Sequence, residues 1–196
     1  MKDSIIRVSI TLLDVDPAIW RRIEVPANMT LEGLHEVIQI VMGWVDYHLH
    51  HFKFADVMYG VPTPEDREMH DGHKVKLSTA LVDGERVFDY IYDYGDNWCC
   101  VVVLEAVAPM IPGVVYPRLV DGVRRGPPED VGGPWGYGEF LDAIADAKHE
   151  RHQELLEWIG GDFDPQQFDS DEINRRLASL APRKSTRRKT ANPPAR

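Results

Sequence analysis

The chain has 196 residues, 43% hydrophobic and 28% charged, with a formal net charge of −10. That length suits one domain with a full core and is short for two, and the composition is that of an ordinary soluble globular protein. No run approaches the roughly 18 apolar residues of a membrane span, so no membrane partner is expected.

The charge is unevenly placed. Between positions 182 and 196 there are six basic residues (Arg183, Lys184, Arg187, Arg188, Lys189, Arg196) and no acid, while residues 1–181 carry 16 basic against 32 acidic side chains, a net of −16. The body is therefore a poor electrostatic match for phosphate backbones, and 182–196 reads as a disordered basic tail able to make at most weak, non-specific nucleic-acid contacts. The opening Met1-Lys2-Asp3-Ser4 is not signal-peptide-like, since the apolar positions after it alternate with Arg7, Ser9 and Thr11. Cys99 and Cys100 are adjacent, fall on opposite faces of one strand and cannot readily bridge, which reads as a reducing, cytoplasmic compartment.

In chain order, residues 5–13 alternate as a strand. After an Asp-Val-Asp-Pro turn, residues 19–25 form a second strand. Thr30 is placed to cap a helix whose Leu31, Leu34, Val37, Ile38, Val41 and Met42 share a face and which Gly43 ends. His35 sits beside that stripe, as a packed or capped histidine would. His48, His50, Phe52 and Phe54 then point one way along a strand, and histidines at i and i+2 can converge on one cation. Hydrogen-bonded structural histidines are the alternative. Residues 60–74 read as a surface loop and 77–81 as one helical turn.

The centre of the pattern is a hairpin. Phe88, Tyr90 and Tyr92 alternate with Asp89, Ile91 and Asp93, and residues 98–107 form a near-continuous apolar strand expected to be covered on both faces. Between them Gly95 is expected to supply a positive φ and Asp96-Asn97 the turn side chains. Asp93 and Asp96 thus stand at the hairpin mouth beside aromatics. Residues 122–138 hold so many Gly and Pro that neither helix nor strand is expected there, only a shaped loop carrying the adjacent carboxylates Glu129 and Asp130. These can supply ligands or a general base, or pair with Arg124 and Arg125. Helical patterns follow, stopped by Gly160-Gly161 and then restarted by an Asp169 or Ser170 cap. His149 and His152, among Lys148, Glu150 and Arg151, belong to an exposed helix. The fold expected is α+β: a single compact domain over 1–181, an antiparallel sheet with a central hairpin packed by helices, and a helical C-terminal part.

Taken together, Pro17-Ala18-Ile19-Trp20-Arg21-Arg22-Ile23, Leu34-His35, Gly43-Trp44 with His48-Leu49-His50, the Tyr92 to Trp98 turn, Pro127-Pro128-Glu129-Asp130-Val131-Gly132-Gly133 and the Phe163-Asp164-Pro165 and Phe168-Asp169 turns resemble the plasmid pRiA4b ORF-3-like family, found also as a TnpR-labelled passenger of insertion elements. The resemblance spans about residues 5–180. It implies a single α+β domain and an association with plasmids and mobile elements, and it carries no established activity. It also implies cysteines beside the Pro-Pro-Glu-Asp loop, where this chain has Gly126 and Val131, so no thiolate role carries over there.

Three functions compete. One is a non-catalytic interaction module that holds an unknown protein or small molecule in a pocket rimmed by Trp44, Tyr92, Tyr94, Trp98 and Trp135. Another is a metal-dependent hydrolase, such as a nuclease, with His48, His50, Asp93 and Asp96 holding a divalent cation and Glu129 or Asp130 as general base. The third is a DNA accessory protein acting through the tail. No cofactor other than a divalent metal is implied.

Overall fold

The computed structural model describes residues 3–63, 68–81 and 84–181; the basic tail expected at 182–196 lies outside the described residues. The strands are β1 (Ser4–Leu12), β2 (Trp20–Pro26), β3 (His50–Phe54), β4 (Val57–Gly60), β5 (Met69–Asp71), β6 (Val87–Tyr92), β7 (Trp98–Pro109) and β8 (Arg118–Val123). The helices are α1 (Leu31–Met42), the single turn α2 (Leu77–Ala80), α3 (Gly133–Ala145), α4 (His152–Ile159) and α5 (Ser170–Ala178). All eight strands join one sheet in the order β5-β4-β3-β6-β7-β1-β2-β8.

Every pairing is antiparallel except β4 with β5, so the sheet is mixed at that edge. The departure rests on three residue pairs of a three-residue strand, too short to show a periodic pattern in sequence. Elsewhere the alternation works as expected. Val8, Ile10 and Leu12 of β1 and Phe88, Tyr90 and Tyr92 of β6 are buried, and α1 lays Leu34, Val37, Ile38 and Val41 against the same core. Thr30 Oγ1 accepts from Gly33 N at 3.1 Å, and Gly43 closes α1 at φ 86°. Tyr137, Phe140, Leu155, Phe163 and Leu177 from the C-terminal part join the same cluster, so helices and sheet share one core.

Three local expectations are corrected. The hairpin turn places its positive φ at Asp93 (56°) and Asn97 (54°), not at Gly95. Asp and Asn tolerate that region because their side chains bond locally, and Asp93 Oδ1 accepts from Gly95 N at 2.8 Å. The 98–107 run is not covered on both faces: Trp98, Cys100, Val102 and Leu104 are buried while the residues between them are only half-buried. Finally, the glycine- and proline-rich stretch is not all loop, since β8 ends at Val123 and α3 starts at Gly133 with Pro134 in its first turn. Proline is harmless there because a first-turn N–H has no intrahelical partner.

One buried cation ties these parts together. Arg21 is 1% exposed and donates to the backbone carbonyls of Trp20, Val41, Val123 and Arg124. Burial pushes its pKa down to about 10, which leaves it charged at neutral pH. It joins β2 to the end of α1 and to the start of the loop that carries Glu129 and Asp130.

Candidate metal centre

That loop, between β8 and α3, is held by two close approaches. A Cβ on Gly126 would lie 1.9 Å from Met42 O, at the end of α1, and one on Gly133 would lie 2.3 Å from Asp96 O in the hairpin turn. Between them Trp44 Nε1 donates to Pro127 O at 3.2 Å and Gly132 N donates to Asp96 Oδ2 at 3.1 Å. The loop is thus pressed onto the hairpin mouth, and Glu129 and Asp130 arrive beside Asp93.

His48 completes the group. Its Nε2 is 3.2 Å from Asp130 Oδ1, 3.5 Å from Asp93 Oδ2 and 3.9 Å from Glu129 Oε2. Two of these carboxylates are anchored by their other oxygen. Asp93 Oδ1 accepts from Gly95 N, and Glu129 Oε1 accepts from Val45 N at 2.8 Å and from the Tyr92 hydroxyl at 3.0 Å. Burial and the neighbouring Glu129 push the Tyr92 phenol well above its ordinary pKa, so it stays a donor. Each anchored carboxylate therefore turns its second oxygen toward the imidazole.

His48 Nε2 and Glu129 Oε2 are both buried and have no hydrogen-bond partner. Among the described residues, no lysine or arginine forms an ion pair with Asp93, Glu129 or Asp130. Asp93 and Asp130 are both held at left-handed φ, 56° and 58°. Three carboxylates around one imidazole, two of them anchored through their other oxygen, have the ligand types and outer-shell support of a divalent-cation site. Donor atoms of His48, Asp93 and Asp130 lie within 4.8 Å of one another.

The residues singled out from sequence therefore separate. His48, Asp93, Glu129 and Asp130 meet; His50 and Asp96 do not join them. His48 lies before β3, which begins at His50, so the same-face rule for i and i+2 does not apply to the pair. The His50 ring instead stacks on His35 at 3.5 Å and 7°. Burial, with His35 beside it, pushes its pKa down to about 3 and keeps the ring neutral. Asp96 holds the loop through Gly132. Trp44 and Trp98 are buried in the core, and of the Tyr92 side chain the hydroxyl reaches the centre. Tyr94 and Trp135 are exposed, as are Val45, Tyr47 and Leu49 on the segment leading to β3.

A second donor group emerges that the pattern did not announce. His35 Nδ1 bonds the Tyr90 hydroxyl at 2.8 Å and Nε2 bonds Asp46 Oδ1 at 2.9 Å, while His35, Asp46 and His50 bring donors within 4.8 Å. Asp46 lies in no regular element, so no period could have placed it. His152 is apart from both groups, with Nδ1 on Ala143 O at 2.9 Å.

A family model described as plasmid pRiA4b ORF-3-like protein matches residues 4–172. The uncharacterized protein y4hQ of Sinorhizobium fredii is 41% identical over 198 residues, covering 97% of this chain and all of that one. A crystal structure of a protein of unknown function from Methanosarcina mazei Go1 is 38% identical, with a TM-score of 0.80, covering 87% of this chain and 97% of that one.

Proposed function

We propose that this chain, which belongs to the plasmid pRiA4b ORF-3-like family, binds a divalent cation at His48, Asp93, Glu129 and Asp130 and uses it for hydrolysis. The observation that carries this reading is the pair of buried, unpartnered atoms, His48 Nε2 and Glu129 Oε2, beside carboxylates that pair with no lysine or arginine among the described residues. Three like charges so close repel, and a dication removes the repulsion while satisfying both atoms. One nitrogen with oxygens suits Zn²⁺ or Mn²⁺ better than Ca²⁺, which prefers an all-oxygen shell. Asp130 is 67% exposed, so the centre opens to solvent on its side, where a bound cation would keep a water and lower its pKa.

The test is a thermal melt with calorimetric titration. A free-cation concentration 100 times the dissociation constant should stabilise the fold by about 2.7 kcal/mol. Asp93→Asn keeps the oxygen that accepts from Gly95 N and should stay folded while losing the response. No response to Zn²⁺ or Mn²⁺ refutes the centre.

A non-catalytic interaction module is the second reading, favoured by the exposed rim of Val45, Tyr47, Leu49, Tyr94 and Trp135. The two separate on turnover. Metal-loaded protein that cleaves p-nitrophenyl carboxylate or phosphate esters above the Asp93→Asn background supports the hydrolase, and equal rates support the module.

A further inference from the structure

The acidic body gathers arginines in one groove. Arg21, Arg124, Arg125 and Arg176 line a cleft of about 370 Å³ with Gln167 and Phe168, between the end of α1, the loop after β8 and α5. Arg21 is committed to backbone carbonyls. The other three have no carboxylate partner among the described residues, whereas Arg7, Arg22, Arg118, Arg151 and Arg175 all do. Arg124 donates from Nη1 to Ala18 O at 3.0 Å and leaves Nε buried with no partner. Arg125 bonds the neutral Gln167 Oε1 at 3.2 Å and lies 4.4 Å over the Phe163 ring. Of the carboxylates at the groove, Glu172 is paired with Arg175 at 2.6 Å, while Asp169, whose Oδ1 caps Glu172 N at 2.8 Å, keeps its charge against the three arginines. Guanidinium groups left without an ion-pair partner match a multiply charged oxyanion, which their planar N–H forks can bind.

Arg124 also lines a second cavity of about 600 Å³ with walls that include Pro17, Tyr137, Leu141 and Phe163. Arg125 stacks on Phe163, so groove and cavity adjoin through the two arginines. Asp142 and Asp162 line the cavity as well and disfavour an anion inside it. A ligand with its charge in the groove therefore has an apolar space for its organic part.

We propose that groove and cavity together bind a phosphate monoester, the phosphate on Arg124, Arg125 and Arg176 and an aromatic or apolar group against Tyr137, Leu141 and Phe163. This site is separate from the metal centre and goes beyond the hydrolase reading. Calorimetric titration in metal-free, low-salt buffer with phenyl phosphate and with inorganic phosphate tests it. Phenyl phosphate should bind about tenfold more tightly than inorganic phosphate, and the Arg125→Gln/Arg176→Gln double variant, which removes two charged donors, should weaken it by about tenfold or more, tenfold being about 1.4 kcal/mol. Leu141→Trp, which narrows the cavity, should reduce the advantage of the phenyl group. Asp93→Asn should bind like the unaltered protein, which keeps the outcome independent of the metal centre. Absence of phenyl phosphate binding, equal affinity for the two ligands, or unchanged affinity in the double variant would overturn the proposal.

Discussion

Charged side chains inside this protein follow two different solutions. Arg21 is satisfied by carbonyl oxygens alone, whereas Glu24, 2% exposed, is gripped by Arg7 and Arg118 across three neighbouring strands. Burial by itself would raise the Glu24 pKa, but hydrogen bonds from Arg118 and Arg7 outweigh it and hold the carboxyl below its ordinary 4.5. The sign follows from linkage: the unfolded state takes up the proton first, so the stability Glu24 contributes is complete above about pH 4.5 and is lost as pH falls through the lower folded value. Glu24→Gln should lower urea-unfolding stability at pH 7 by about 2–3 kcal/mol, because it weakens hydrogen bonds to two charged partners. The difference from the unaltered protein should shrink when the titration is repeated at pH 3. A gap that stays constant with pH would show that Glu24 acts through packing and not through its charge.

Elements are where local pattern was most legible. The β1 alternation, the Thr30 cap, the Gly43 stop and the Asp169 cap each depend on residues a few positions apart, and each is found in the structure. The candidate centre was legible only as a set of residue types. His48, Asp93 and Glu129–Asp130 are separated by dozens of positions, and what selects them over His50 and Asp96 is a bend before β3 and a loop pressed against two backbones. Composition marked 122–138 as unusual, but glycines needed for close approach look the same in sequence as glycines needed for a turn. Gly126→Ala tests that distinction. Its Cβ would meet a backbone carbonyl at 1.9 Å, so the loop must shift, at a cost of about 1–3 kcal/mol. Cation affinity should fall with it, because Glu129 and Asp130 ride on that loop. Gly138→Ala, in α3 with nothing within 4 Å, should instead stabilise by up to about 1 kcal/mol and leave affinity alone. Equal effects from the two substitutions would mean that the close approach at Gly126 does not position the site.

At the scale of the whole molecule the deciding quantity is where charge accumulates. Residues 1–181 are net −16, and residues 182–196 add six cations with no apolar side chain larger than alanine or proline. Such a segment has little to bury, so deleting residues 182–196 should leave the melting temperature almost unchanged. Duplex DNA measures the balance more sharply. Six cations can neutralise at most about six phosphates, for a log–log salt slope of roughly −5, and the acidic body opposes even that. The groove of Arg124, Arg125 and Arg176 offers about three more contacts, but it is a recess with a fourth, buried arginine beside it rather than a stripe that follows a backbone. We therefore expect the full chain to bind duplex DNA weakly and without sequence preference, with binding nearly gone at physiological salt. Chain ending at residue 181 should show little binding, with a slope no steeper than roughly −3 from three arginines. Fluorescence anisotropy across a salt series measures both slopes. Tight, salt-tolerant binding by the shortened chain would mean that the groove recognises nucleic acid itself, and that the overall negative charge conceals a DNA-binding face.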